Sequence, residues 1–234
     1  MNPRDRKRKK FPLLPISVDA YWERLYENKV ELDQFWFSDR LADETLALLA
    51  GPSVAKGRAL DIGCGVGNLT EQLARYFQGI VGIDFAESGI RRAIDATGTL
   101  DPAPEFVVGD ATRLPFADDS FDYVFDRGCL QIIAIARWPD YFAGIERVLK
   151  AGGHYQLFIR FGGKKSGLRS ALRAFRRRPT KFFARKVSRS LPQLLDHLPP
   201  LLACETAEPV AKPERAASAV NHINIICRKS GPPR

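Results

Sequence analysis

Apolar residues in this chain recur in two patterns, short uninterrupted runs and longer stretches with helical spacing. The runs predict buried strands, and the longer stretches predict amphipathic helices. Because the two alternate along the chain, they predict an α/β fold with a doubly wound parallel sheet and helices on both faces. The predicted strands are 58–62, 80–84, 105–108, 121–126, 155–161, 201–207 and 223–228. The predicted helices are 18–27, 38–49, 68–77, 87–96, 130–136, 140–149 and 190–198.

A glycine-rich turn follows the first predicted strand. Gly63, Gly65 and Gly67 stand at alternate positions, and they let a ligand approach the main chain with no Cβ in the way. Asn68 then opens a helix whose free N–H groups point back at the turn. Asp84 ends the next strand about 20 residues on, where a carboxylate can accept both hydroxyls of a ribose. The turn therefore predicts a nucleoside-binding site.

Two residues of the turn argue against a dinucleotide. Asn68 occupies the position where a G-x-G-x-x-G loop needs its last small residue beside a pyrophosphate. Asp61 lies just before the turn, and its carboxylate would repel a pyrophosphate but attract an ammonium group. S-adenosylmethionine (SAM) carries an ammonium and a sulfonium and has no phosphate, so it is the nucleoside that these residues favour.

The whole turn resembles a known motif. The run Leu60-Asp61-Ile62-Gly63-Cys64-Gly65-Val66-Gly67 is similar to motif I of the class I SAM-dependent methyltransferases. Segments 105–111, 114–126 and 148–153 resemble later motifs of that family, in family order, so the resemblance covers residues 55–162. It implies a seven-stranded, mostly parallel sheet whose last strand is antiparallel, with SAM as the cofactor.

The resemblance also implies roles for residues at the strand ends. Asp110 would take the adenine amino group, and Asp126-Arg127-Gly128 resembles a turn of thiopurine- and tellurite-type methyltransferases that lies beside the methyl group. Alternatively, Asp126 and Arg127 only shape the cofactor site. The predicted cofactor-binding residues are Asp61, Gly63, Cys64, Gly65, Asn68, Asp84, Phe85, Asp110, Ala111, Asp126 and Arg127.

No catalytic acid–base pair is recognisable, and methyl transfer does not require one. The sulfonium methyl is already activated, so the protein mainly has to align the acceptor and exclude water. The catalytic residues are therefore left unassigned. Candidate acceptor contacts are Tyr21, Trp22 and Trp36 in a predicted N-terminal helical cap (17–50), and Arg160 at the end of strand five. In the alternative interpretation the aromatic residues only pack the helices on the sheet, and Arg160 lies at the surface.

The acceptor class follows from two missing signatures. No Asn/Asp-Pro-Pro-aromatic sequence follows strand four, and no Pro-Cys nucleophile is present, so methylation of adenine or of cytosine C5 is disfavoured. We therefore expect an O, N or S atom of a small molecule as the acceptor. The alternatives are an RNA or protein methyltransferase, and a SAM-binding protein without transferase activity.

The charge is unevenly distributed over the 234 residues. The chain has a net charge of +9, but residues 1–149 carry −5 and residues 150–234 carry +14. An insert at 163–189 holds 11 basic residues and no acidic one. It is predicted to be a lid over the acceptor. The alternatives are a surface that binds nucleic acid or an anionic membrane (residues 164–189), and a solvated face. Residues 1–16 are predicted to be a disordered basic tail, and 17–234 a single domain.

The four cysteines show no metal-ligand spacing. They predict reduced thiols in a cytoplasmic protein with no metal site. No run of about 18 apolar residues is present to span a membrane. The sequence leaves the oligomeric state open.

Overall fold

The computed structural model describes residues 18–29, 40–161, 191–210 and 221–231. Its strands are β1 (Arg58–Ile62), β2 (Gly79–Asp84), β3 (Glu105–Val108), β4 (Phe121–Arg127), β5 (Leu149–Phe161), β6 (Leu202–Pro209) and β7 (Asn221–Lys229). Its α-helices are α1 (Val18–Glu27), α2 (Asp43–Ala50), α3 (Asn68–Ala74), α4 (Glu87–Thr97), α5 (Trp138–Val148) and α6 (Leu191–Leu195).

The strands form one seven-stranded sheet in the order β3-β2-β1-β4-β5-β7-β6. Strands β1 to β5 run parallel to one another, whereas β7 is antiparallel to both β5 and β6. The predicted fold class, a doubly wound and mostly parallel sheet with an antiparallel last strand, is confirmed.

Apolar side chains cover both faces of the sheet, and this explains why the sheet is doubly wound. On one face α5 buries Trp138, Tyr141 and Phe142 against the strands. On the other face Leu49 of α2 and Leu73 of α3 pack in a separate cluster with side chains of β4. Full burial of one such side chain is worth about 1.5–3 kcal/mol, so the two clusters carry much of the stability of the fold.

One predicted helix was wrong. Residues 130–136 form two short 3₁₀ turns, Leu130–Ile132 and Ile135–Arg137, with extended backbone at Ile133 and Ala134 between them. The β-branched residues of this segment disfavour a helix, and the Asp126 carboxylate binds the first backbone N–H groups of the turn. Residues 40–42 precede the helix α2 instead of belonging to it, and positions 38 and 39 of the predicted helix lie outside the described residues.

The register brings the functional segments to one edge. Ile62 pairs with Ile83 of β2 and with Asp126 of β4, so the carboxyl ends of these three strands lie side by side. Open α/β sheets bind their ligands at this edge. None of the helices in the four described ranges is long and apolar enough to cross a membrane.

Several sequence predictions fall outside the described residues. They are the basic tail at 1–16, Trp36 in the N-terminal cap, and the basic insert at 163–189. Arg160 belongs to β5, but only its backbone is described.

Candidate functional site

The glycine turn connects β1 to α3 and has left-handed backbone at alternate positions. Gly65 has a φ of 56°, and a Cβ there would lie 2.7 Å from the hydroxyl oxygen of Tyr26. Gly67 caps the N-terminus of α3 with a φ of 77°. The N–H groups of Gly63 and Cys64 both donate to the Ile83 carbonyl, at 2.7 and 3.1 Å, and fix the turn to β2. Only glycine fits at Gly65 without strain.

Asp84 holds this turn from the end of β2. One carboxylate oxygen accepts the Gly65 N–H at 2.9 Å, and the other accepts the Ala86 N–H at 2.9 Å. Burial raises the pKa of Asp84 to about 6, against the lowering effect of these hydrogen bonds. A carboxylate has about four acceptor sites, so each oxygen keeps one for a ligand hydroxyl. Phe85 follows it and packs beside α1.

Asp61 lies within β1, beneath the turn. It is buried, and its carboxylate accepts a hydrogen bond of 2.6 Å from the Thr70 hydroxyl of α3. Burial raises the pKa of Asp61 to about 7, and the negative charges of Asp126 and Asp84 add to that effect. The three carboxylates therefore form one electrostatically coupled group, which we call the acidic cluster.

Asp126 is the most enclosed member of the acidic cluster. Its carboxylate accepts hydrogen bonds from the N–H groups of Cys129 and Leu130, at 2.7 and 3.0 Å. The Tyr141 hydroxyl donates to it at 2.5 Å and lies 3.2 Å from the Tyr155 hydroxyl. Burial raises the pKa of Asp126 to about 6. Three donors fix this carboxylate to the turn after β4, whereas the next residue, Arg127, is exposed.

The turn after β4 also touches the glycine turn. A Cβ placed on Gly63 would lie 2.7 Å from the Cβ of Cys129, so these two turns are in close contact. Cys64 is buried in the glycine turn, and burial raises the pKa of its thiol well above the usual value. The sequence motif gave no indication that Cys129 would close this side of the site.

Asp110 lies past the end of β3 and is exposed. Its carboxylate accepts hydrogen bonds from the backbone N–H and the hydroxyl of Thr112, at 2.8 and 2.7 Å. Arg137 forms an ion pair with it at 3.2 Å and also donates to the Thr112 hydroxyl. Partial burial raises the pKa of Asp110, but the hydrogen bonds from Thr112 and Arg137 outweigh it and hold the pKa below its usual value. Ala111, the next residue, is half-buried and packs against the main core.

Helix α1 packs over the glycine turn. Tyr26 is buried, and its ring lies against Gly65 and Gly89. Its centroid is 5.7 Å from that of Trp22, which in turn contacts Tyr21 at 5.7 Å. Tyr26 was missed in the sequence, although its spacing of four residues from Trp22 places both on one helical face.

Two polar contacts attach α1 to α4. The Glu23 carboxylate accepts the N–H groups of Glu87 and Ser88, at 2.5 and 3.0 Å, and so caps the N-terminus of α4. One turn further along α4, the Arg92 guanidinium donates to the Tyr26 carbonyl at 2.8 Å. Glu23 thus acts as an N-cap from a different helix, which no local sequence pattern would reveal.

The site fits a cationic nucleoside better than an anionic one. Among residues 18–29, 40–161, 191–210 and 221–231, no ion pair neutralises any member of the acidic cluster. The cluster therefore favours a ligand that carries positive charge and disfavours a phosphate. SAM carries positive charge and no phosphate, so it meets both requirements. Asn68 begins α3 at the same turn.

A family model described as a methyltransferase domain matches residues 59–153 of the chain. This range runs from β1 into β5 and includes the glycine turn and the acidic cluster. The match does not include α1, which packs over the glycine turn.

Two individual proteins are similar to part of this chain. The eEF1A lysine and N-terminal methyltransferase of Mus musculus is 31% identical over 143 residues, which are 58% of this chain and 20% of that protein. A demethylmenaquinone methyltransferase of Staphylococcus aureus is 37% identical over 107 residues, 43% of this chain and 42% of that protein. The chain thus matches less than half of the length of these relatives.

A solved structure shares the fold over most of the chain. Phosphoethanolamine N-methyltransferase 2 of Haemonchus contortus, in complex with SAM, superposes with a TM-score of 0.70 and 20% identity. The alignment covers 94% of this chain and 62% of that one. At 20% identity this likeness shows the shared fold; with the methyltransferase domain matched over residues 59–153, it agrees with S-adenosylmethionine as the cofactor that the site geometry favours.

Proposed function

We propose that the protein transfers the methyl group of SAM to an O, N or S atom of a small-molecule acceptor. The observation that carries the proposal is the acidic cluster beneath a glycine turn that α1 covers. The cluster favours a sulfonium cofactor, and the cover by α1 leaves less room for a polymeric acceptor than an open edge would.

We infer the cofactor contacts from the hydrogen bonds that the side chains of the site already make. In this proposal Asp84 accepts the ribose hydroxyls with the acceptor sites that Gly65 and Ala86 leave free. Asp110 accepts the adenine amino group, and Asp61 contributes negative charge near the amino-acid portion. Phe85, Ala111, Cys64 and Gly63 shape the walls around these groups.

The chemistry requires alignment more than acid–base catalysis. Bound SAM would supply an activated methyl group on its sulfonium. In this proposal Asp126 and Tyr141 hold the turn after β4 in place, so that Arg127 and Cys129 border the acceptor. Tyr21 and Trp22 of α1 exclude water from that side. The reaction takes place in the cytoplasm, and the four free cysteines support this location.

A protein acceptor is the second candidate, because one matched relative is named a lysine and N-terminal methyltransferase. A lysine or terminal ammonium group would be attracted by the acidic cluster. Its amine must lose a proton before it can accept a methyl group. This candidate differs from the first in acceptor size, and an experiment can separate them on that basis.

The test is incubation of the protein with methyl-labelled SAM and a cell extract that has been split by size. Label in the small-molecule fraction, identified by mass spectrometry, would support the proposal. Label in the macromolecular fraction alone would replace it with a protein or RNA acceptor. Tight SAM binding without any labelled product in either fraction would contradict transferase activity. The Gly65→Val variant is the control for label that arises without the cofactor site.

A further inference from the structure

Two free cysteines face each other on neighbouring strands, outside the cofactor site. Cys204 of β6 is the register partner of Cys227 of β7, and these strands are antiparallel. Facing residues in antiparallel strands have Cα atoms about 4.5–5.5 Å apart. A disulfide requires about 4.4–6.8 Å, so the backbone geometry accommodates one without movement of either strand.

The two side chains point to the same face of the sheet. Cys227 lies in the main apolar core, and Cys204 packs against that core from the edge strand. The thiols share a hydrogen bond, and the Cys204 sulfur lies 3.4 Å from the Thr206 carbonyl oxygen. The two side chains therefore lie close enough to interact before any bond between them forms.

The two thiols differ in access and in reactivity. Cys204 is half-buried, whereas Cys227 has no exposed surface. The hydrogen bond from Cys227 lowers the pKa of Cys204 to about 7, and the same bond together with burial raises the pKa of Cys227. Because the thiolate is the nucleophile, Cys204 is the residue that reacts with a reagent from solution.

The remaining cysteines have the opposite properties. Cys64 and Cys129 lie in the cofactor site, and burial raises the pKa of both thiols well above the usual value. The two lie near each other, but both are thiols of raised pKa and therefore poor nucleophiles at neutral pH. Oxidation at neutral pH should therefore select the pair on β6 and β7.

We propose that Cys204 and Cys227 form a modification site for low-molecular-weight disulfides of the glutathione type. Cys204 is the attacking thiol and Cys227 is the resolving thiol. The proposal does not depend on the methyl acceptor or on transferase activity.

The reaction balances in two exchange steps. The Cys204 thiolate attacks one sulfur of the reagent, forms a mixed disulfide and releases the first reagent thiolate. Cys227 then gives up its proton, attacks the Cys204 sulfur and releases the second reagent thiolate. Two cysteines are oxidised to one disulfide, and one reagent disulfide is reduced to two thiols. The new bond ties the edge strand β6 to its neighbour.

The test uses the folded, full-length protein and oxidised glutathione at neutral pH. After alkylation of the remaining thiols, peptide mapping by mass spectrometry should find a Cys204–Cys227 disulfide, with Cys64 and Cys129 alkylated after denaturation. A stable glutathione adduct on Cys204 with Cys227 still free would overturn the proposal, as would no reaction at Cys204.

Variants separate the two roles. Cys227→Ala should trap the glutathione adduct on Cys204, and Cys204→Ser should leave Cys227 unmodified. A matched control, Cys204→Ser with Ala203→Cys, places an exposed thiol on the opposite face of the strand. It should form a glutathione adduct that Cys227 does not resolve. If this control also forms an internal disulfide, contact between the native sulfurs is not the cause.

The pH dependence supplies a second readout of the assigned roles. Below its pKa, the thiolate fraction falls about tenfold per pH unit. The rate of Cys204 modification should therefore rise between pH 5 and 7 and level off above pH 7. A rate that continues to rise steeply to pH 9 would show an ordinary thiol and contradict the assignment of roles.

Discussion

Two groups of carboxylates lie at the same edge of the sheet in opposite electrostatic environments. The acidic cluster (Asp61, Asp84 and Asp126) is buried, and burial raises each pKa to about 6 or 7. Asp110 and Glu23 lie nearer to solvent. Partial burial raises the pKa of each, but their hydrogen-bond donors outweigh it and hold the pKa below the usual value. We call the second group the rim carboxylates.

The two groups of carboxylates therefore have different roles. The rim carboxylates are charged throughout the physiological range, so they act as fixed anchors for Arg137 and for the N-terminus of α4. The acidic cluster carries a charge that burial makes costly, and a cationic ligand lowers that cost. Cofactor binding should therefore depend on the cluster, and closure of the site should depend on the rim.

The largest effect is expected in the turn that the cluster supports. Gly65→Val should reduce SAM affinity by more than about 100-fold, because its left-handed backbone and the Tyr26 hydroxyl leave no room for a side chain. Calorimetry with SAM measures this. The control is Gly79→Ala, since a Cβ at Gly79 has nothing within 4 Å. Equal affinity losses in the two variants would show a general effect on folding instead.

Asp84 is expected to have the next largest effect. Asp84→Ala should weaken SAM binding by about 10- to 100-fold, which corresponds to about 1.5–3 kcal/mol for lost hydrogen bonds to a charged group. Isothermal titration measures this, with Asp95→Ala on the exposed face of α4 as the control. A folded Asp84→Ala protein with normal SAM affinity would remove Asp84 from the cofactor site.

A pH titration tests the cluster without any substitution. The folded-state pKa of Asp61, about 7, lies above its ordinary value of 3.8, so protonation stabilises the folded state. This stability is present at low pH and is lost as the pH rises towards 7, by at most about 1.4 kcal/mol per pH unit for each group. Asp84 and Asp126 act in the same direction up to about pH 6.

SAM affinity should change in the opposite direction. Because a cation binds the ionised cluster better, affinity should rise by up to about tenfold between pH 5.5 and 7.5. Thermal unfolding of the free protein and calorimetry with SAM, at the same set of pH values, measure both trends. S-adenosylhomocysteine, which lacks the sulfonium charge, is the matched ligand and should show a smaller rise. Equal pH dependence for the two ligands would contradict the electrostatic role of the cluster.

The sequence was sufficient for the sheet and for the glycine turn. Apolar runs indicated the buried strands. The spacing of Gly63, Gly65 and Gly67 indicated a tight turn, because the backbone conformation of a turn depends on residues that are adjacent in the sequence. The confirmed prediction of an antiparallel last strand came from the resemblance to the family, and the strand order was not predicted, because pairing between distant strands leaves no local pattern.

Contacts between distant segments were not predictable from the sequence. Glu23 caps a helix that begins 64 residues later, and Cys129 packs on Gly63 through the fold alone. For the same reason the environment of Asp126 was missed, since Tyr141 and Tyr155 reach its surroundings from α5 and β5. Residue type indicated a carboxylate at the right edge, but not how its oxygens would be occupied.

The smallest effect is expected at the rim, where Glu23 attaches α1 to α4. Glu23→Ala should leave the Glu87 and Ser88 N–H groups without their cap, and it should cost about 0.5–2 kcal/mol of stability. Chemical denaturation measures this, with Glu27→Ala on the exposed end of α1 as the control. Because α1 covers the glycine turn through Tyr26, we also expect SAM to dissociate about two- to tenfold faster, within the range of that energy. Because the Glu23 charge adds to the effect of burial in raising the pKa of Asp84, its removal should shift the rise in SAM affinity slightly towards lower pH. An unchanged pH profile in Glu23→Ala would show that the charge of this rim carboxylate does not influence the cluster.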